Sequence, residues 1–256
     1  MKKILFLTVT LFYFAIESVF SFDNNHAIER TTATDILDSI QYKIEYAMNE
    51  SFSKGSTEPL DKIFGQLQQI KQQNNVITYW MAYVNYYQSV YFLKTTEKKK
   101  SETKIKEGII LLEELKRKNS EDYALLAILQ SFYIQFKSGM AAGKISSKVT
   151  ENGEKAIELD SLNLRAWYVL GSNDFYTPES FGGGKKAEGY LKKAITLPSQ
   201  STESIYLPSW GKEYAFEMLI QFYIKKDKKD EAKKIYDQAI QQFPDSYMLK
   251  QYESKF

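Results

Sequence analysis

One segment has the composition of a ligand loop: Gly182-Gly183-Gly184-Lys185-Lys186, placed just ahead of a helical pattern. Successive glycines followed by lysine could hold an anion at a helix N-terminus, where unpaired N–H groups and the helix dipole favour negative charge. A phosphate loop needs Gly-x4-Gly-Lys-Ser/Thr after a strand, and neither condition is met. A turn is the expectation and an anion site the sharper alternative. A second concentration of chemistry is aromatic: Tyr79, Trp80, Tyr83, Tyr86, Tyr87, Tyr91 and Phe92 fall within fourteen residues. Helix pairs bury aromatics between layers, so most of the set should be core. The rings crowd more than one helical face, which makes Tyr79 and Tyr86 candidates for a surface binding patch. The third is basic. Lys94, Lys98, Lys99, Lys100, Lys104 and Lys106 alternate with Glu97, Glu102 and Glu107, the pattern of a solvated inter-helix loop, with acidic partners as the alternative.

Composition excludes several chemistries. The chain has 256 residues and no Cys, so disulfides, thiol nucleophiles and Cys-ligated zinc are ruled out. A single His26 makes a His-rich metal site or a Ser-His-Asp triad untenable. With 34 Lys+Arg against 32 Asp+Glu, there is no basic excess for a nucleic-acid partner. Carboxylates are plentiful, but none are paired in a catalytic motif. Neither a cofactor, a metal nor an enzymatic activity is expected.

The elements that must position these residues are helical. Met1-Lys2-Lys3, the uncharged run Ile4–Ile16 and a more polar stretch to Ser21 follow the order of a secretory signal peptide. The apolar run is too short to span about 30 Å of hydrocarbon, so cleavage after Ser21 is expected, giving a periplasmic or secreted protein without a transmembrane segment. Residues 22–31 then form a flexible segment, which would leave His26 without a ligand role, and 32–256 one helical domain. From Thr32 on, apolar residues recur at three- and four-residue spacing, as in Ile36, Ile40, Ile44 and Ala47. Thr34 or Asp35 can cap the first helix. The chain has 12 Gly and 5 Pro, where average usage gives roughly 31 together. Few breakers mean long elements. The pattern predicts ten helices in five antiparallel pairs, with turns near 52–58, 73–76, 95–102, 118–121, 137–142, 159–162, 176–184, 198–208 and 226–229.

Internal repetition selects among all-α folds. Phe216, Leu219, Tyr223, Ala232, Tyr236, Ala239 and Pro244 have the mutual spacing of a 34-residue helix-pair repeat. Ile220 stands where a small residue is usual. Asp227 takes the turn-glycine position, and Asp tolerates the left-handed conformation such a turn needs. The unit before contributes Trp167, Leu170, Gly171, Ala187, Leu191 and Ala194, with about four extra residues in the turn 177–184. Trp80, Tyr83, Val84, Tyr87, Gly108 and Leu112 outline an earlier, elongated unit. On these residues the chain resembles tetratricopeptide repeat (TPR) proteins over most of 76–250, most clearly in 210–245. The Phe175-Tyr-Thr-Pro and Phe181-Gly-Gly-Gly184 pair is similar to a subset of secreted bacterial TPR proteins. A fainter likeness reaches the TPR component associated with TRAP-type transporters.

The resemblance implies a TPR-like α-solenoid whose first helices line a concave groove. Carried over position by position, the groove residues are Arg165, Tyr168, Ser172 and Phe175 in one repeat and Tyr214, Glu217, Gln221 and Lys225 in the next. Thr78, Met81, Asn85 and Gln88 fill these positions in an earlier one. Trp167, Leu170, Leu219 and Tyr223 carry the packing instead. The carboxylate clamp of chaperone-binding TPRs needs Lys and Asn where Tyr168, Ser172, Glu217 and Gln221 stand, so that ligand class is not expected. A mixed polar and aromatic groove suits an extended peptide or protein segment of an envelope partner. The alternative is a solute-handling accessory of a transporter, which requires an enclosed cavity.

Overall fold

The computed structural model describes residues 36–70, 74–199 and 206–256. Among them, regular structure is entirely helical: α1 (Ile40–Lys54), α2 (Glu58–Gln68), α3 (Asn75–Lys94), α4 (Lys98–Glu113), α5 (Ser120–Tyr133), α6 (Gly139–Leu159), α7 (Leu164–Tyr176), α8 (Ala187–Thr196), α9 (Lys212–Lys225), α10 (Lys229–Gln242) and the single turn α11 (Tyr247–Lys250). The ten long helices form five pairs: α1/α2, α3/α4, α5/α6, α7/α8 and α9/α10. Each first helix also packs on the first helix of the next pair, so α1, α3, α5, α7 and α9 lie side by side as an inner layer. This is the expected TPR-like α-solenoid. The proposed caps Thr34 and Asp35, the signal segment, residues 22–31 and His26 lie outside the described residues.

Local chemistry sets the boundaries. Before α5, the Asn119 side chain accepts from the Asp122 N–H at 3.0 Å, and the Asp122 carboxylate accepts from the Asn119 N–H at 2.9 Å. This reciprocal cap satisfies two donors the helix cannot. Asp227 turns α9 into α10 in the left-handed region, at φ 55°. The Lys run is not a loop, because α4 begins at Lys98 and holds most of it. Its lysines pair along the helix surface, as in Lys106 to Glu102 at 3.0 Å.

Small residues let the layers close. A Cβ on Gly171 of α7 would come within 2.7 Å of the Leu191 side chain on α8, so glycine here permits the close approach. Leu170, Phe216, Leu219, Tyr223, Tyr236, Ala187, Ala194, Ala232 and Ala239 are buried as the repeat pattern requires. Pro244 is exposed, in the turn that leads to α11. Trp167 departs from expectation. It is half-buried, its indole N–H donating to the Ser161 carbonyl at 3.0 Å and its ring 5.9 Å from Tyr190.

Candidate functional site

The inner layer presents a run of tyrosines. On α3 the inward positions are Tyr79, Tyr83, Tyr86 and Tyr87. The last three approach Tyr214 of α9, and Tyr86 also approaches Tyr168 of α7. The Tyr83 and Tyr87 hydroxyls are 3.2 Å apart, and Tyr87 also bonds to Tyr214. Tyr168 packs against Tyr214 at 6.3 Å, and Tyr86 stands edge-on to Phe132 of α5 at 5.3 Å. Burial raises the pKa of Tyr79, Tyr83, Tyr86, Tyr87, Tyr168 and Tyr214 far above the usual phenol value. They stay neutral, and the hydroxyls of Tyr79, Tyr83, Tyr87 and Tyr214 are hydrogen-bonded. The helix register differs from the one expected here. Asn85 lies against the Gly108 position of α4, and Gln88 donates to Asp61 of α2 at 2.5 Å. Neither faces inward. Tyr79 is buried and Tyr86 half-buried, so they form no exposed patch.

Across this face runs part of the α8–α9 connection. Residues 206–211 are held chiefly through their backbone. Trp80 Nε1 donates to the Tyr206 carbonyl at 2.9 Å. Gln41 Oε1 of α1 accepts from the Ser209 and Trp210 N–H groups at 2.9 and 3.2 Å. Arg165 Nη1 donates to the carbonyls of Ser199 and Trp210 at 2.8 and 2.9 Å. The Trp210 ring stacks on Tyr83 at 5.8 Å, and its N–H donates to the Tyr79 hydroxyl at 3.0 Å. One irregular segment therefore touches α1, α3 and α7.

This arrangement corrects the expectation that the groove positions are free of packing duty. Arg165 is 3% exposed, and its guanidinium makes a two-pronged ion pair with Glu121 of α5, one arm at 2.6 Å. It latches the crossing segment. Tyr168, Ser172 and Phe175 are buried, Tyr214 and Gln221 half-buried, and Lys225 exposed with its ammonium 4.5 Å from the Phe175 ring centre. Glu217 is 9% exposed. Its Oε1 accepts from Gln221 at 3.0 Å and from the Tyr252 hydroxyl at 3.1 Å. Burial pushes its carboxyl up to about 7. Glu45 of α1 is likewise pushed up to about 7 by burial, with Gln41 and Tyr83 as hydrogen-bonding neighbours. Sequence reasoning missed Glu45, Gln41 and Trp210, because none of them sits at a repeat position.

The glycine turn has a structural explanation. A Cβ on Gly183 would fall 1.9 Å from the Thr177 carbonyl, while Gly182 and Gly184 have φ of 89° and 76°. The N–H groups of Lys186 and Ala187 both donate to the Asp174 carboxylate at 2.8 Å. Asp174 already occupies the place an anion would take. Among the described residues no three His, Asp or Glu side chains gather to hold a metal, and no helix is long and apolar enough to cross a membrane.

Five pairs with side-by-side first helices define a tetratricopeptide-type α-solenoid, and solved structures agree on the fold. The chain is similar to a thermophilic TPR protein of Thermus thermophilus, at 15% identity and a TM-score of 0.54, covering 82% of this chain and 97% of that one. It is also similar to the HusA haemophore of Porphyromonas gingivalis, at 18% identity and a TM-score of 0.50, covering 72% and 94%. No family model matches the chain, and no curated protein matches it by sequence.

Proposed function

We propose that the protein is a non-catalytic binding module of the cell envelope, taking an extended protein segment along its inner face. The observation that carries this is residues 206–211. Their backbone carbonyls and N–H groups are read by Trp80, Arg165 and Gln41, and their one large ring is stacked by Tyr83. Side chains that grip main-chain groups beside an aromatic pocket recognise an extended peptide, whatever its origin. The signal-like start supports placement beyond the inner membrane, which N-terminal sequencing of the mature protein checks; a chain beginning at Met1 would overturn it. Binding is tested by fluorescence anisotropy with a labelled hexapeptide of sequence 206–211. Trp210→Ala, which keeps Trp80, Arg165 and Gln41, should vacate the track and capture the peptide saturably. Failure of the folded variant to bind it overturns the reading.

A second reading places a compact aromatic solute in the same concavity, in line with a transporter-accessory role. The density of tyrosine rings favours it, and the shared fold with a haemophore makes haem the first solute to test. A Soret shift on adding haemin, lost in Tyr168→Phe, would support it. An unchanged spectrum would remove it.

A further inference from the structure

The first helices all run in the same direction, so the connections inside the pairs come to one edge of the solenoid. Polar contacts join them there. The Ser89 and Ser101 hydroxyls are 3.0 Å apart, Lys137 donates to Glu102 at 2.8 Å, and the Ser146 hydroxyl donates to Asn173 at 3.0 Å. Three neighbouring connections, in the pairs α3/α4, α5/α6 and α7/α8, carry five exposed lysines with the helix starts that follow: Lys98, Lys99, Lys144, Lys185 and Lys186. None of these ammonium groups has an ion-pair or hydrogen-bond partner among the described residues. The acids of the same stretches are already matched: Glu97 by Lys100, Glu102 by Lys106 and Lys137, Glu179 by Lys226 and Glu188 by Lys192. The edge therefore holds uncompensated positive charge, although the chain as a whole is nearly balanced. It also exposes two large apolar side chains. Met140, at the start of α6, is 88% exposed, and Phe181, in the α7–α8 turn, is 82% exposed. The turn is tied down, with the Phe181 N–H donating to the Pro178 carbonyl and the Gly184 N–H to the Asp174 carbonyl, both at 2.8 Å. Apolar residues exposed singly are ordinary, but two of them rimmed by unpaired lysines mark an interaction surface.

We propose that this edge docks the protein on a bilayer containing anionic phospholipid, the five lysines over the headgroups and Met140 and Phe181 entering the interface. Charge complementarity selects an anionic partner. An unpaired ammonium near a negative lipid surface is worth about a fivefold gain in binding. All five groups are lysine, a compact charge suited to a diffuse anionic surface rather than to a forked contact with one ligand. The apolar tips select lipid over an acidic protein. An acidic chain would neutralise the lysines and leave Met140 and Phe181 in water, whereas the headgroup boundary accepts both kinds of group. Docked in this way, the first helices stand end-on to the bilayer and the inner face stays open at the side. The edge and the inner face are separate, so neither depends on what the other binds.

The test is cosedimentation with vesicles of equal parts phosphatidylglycerol and phosphatidylcholine, against vesicles of phosphatidylcholine alone. Wild type, the double variant Lys185→Gln with Lys186→Gln, and Phe181→Ser are purified in the same form, so any contribution of residues 1–21 is common to all three. Wild type should bind the mixed vesicles at least about tenfold more tightly than the neutral ones. It should be released as salt rises from about 0.1 M to about 1 M, which shortens the screening length from about 10 Å to about 3 Å. The double lysine variant should bind the mixed vesicles about 25-fold more weakly, at about fivefold for each charge. Phe181→Ser should lose about tenfold in affinity and keep the salt dependence. Circular dichroism of both variants should stay native, since all three replaced side chains are exposed. Equal binding of the two vesicle types, or unchanged binding by either variant, would overturn the proposal. Capture of polyglutamate without binding to the mixed vesicles would overturn it as well, and would assign the edge to an acidic protein.

Discussion

A carboxyl group taken out of water without a cation beside it keeps its proton to higher pH. At Glu217 the folded value is about 7 against 4.5 for the free group. Between those two values the unfolded chain has lost the proton and the native state has kept it, so stability falls as pH rises. One group of this kind contributes about 3 kcal/mol across the window. Glu217→Gln is therefore expected to match wild type near pH 4 and to exceed it in stability at pH 8. Glu45, pushed to the same value, supplies the slope that remains. Urea midpoints from pH 4 to pH 8 check this, and an undiminished slope would assign the titration elsewhere. The aromatic pair Trp167 and Tyr168 gives a second prediction. Tyr168 is buried against Tyr214, whereas Trp167 is half-buried on the other side of α7. Tyr168→Ala should cost about 3 kcal/mol and Trp167→Ala about 1 kcal/mol, since truncation cost follows the burial lost. Thermal melts of the two variants decide the order. The repeat consensus argues for the reverse order, because it knows nothing of what covers the inner face.

At the level of elements, helix lengths and turns follow from local rules, while the α8–α9 connection does not. It crosses the inner layer because Arg165, paired with Glu121, directs a remaining N–H at its carbonyls. Removing one member of a buried pair leaves the other charged and unmatched. Arg165→Ala should thus cost about 3–5 kcal/mol. It should also loosen residues 206–211, seen as faster amide exchange at Ser209 and Trp210, whose N–H groups depend on Gln41. Unchanged exchange there would show that Gln41 and the Trp210 stack suffice to hold the segment.

Across the whole molecule, the same connection alters how the solenoid should unfold. Helix-pair arrays couple only neighbours, so their ends can fray independently. Here Gln41 of the first pair is bonded to residues 209 and 210, just before the last pair. That bond closes an open array. Denaturant unfolding is expected to be a single transition in wild type. In Trp210→Ala the α1/α2 pair should exchange its amides ahead of the rest. Native-state hydrogen exchange across α1 and α9 tests this, and independent fraying of α1 in wild type would contradict it.

The periodic spacing of Ile40, Ile44 and Ala47, the small residues at Gly171, Ala187 and Ala194, and the Asp227 turn are local and nearest-neighbour signals. They made the all-α class, the five pairs and the last repeat legible from the residues alone. Gly182–Gly184 was equally readable as a turn, because only glycine fits a positive φ and a carbonyl at contact. The α3 register was not legible, since tyrosines and small residues repeat there at more than one plausible phase. What fills the inner face was also beyond reach. Gln41 and Trp210 are separated by 169 positions, and no spacing rule connects residues that far apart. Their meeting is decided by how five helix pairs curve and where an irregular segment finds its backbone partners. For the same reason Glu217 reads in sequence as an ordinary groove acid. Only the tertiary structure removes it from water and gives it the Gln221 amide and the Tyr252 hydroxyl as donors.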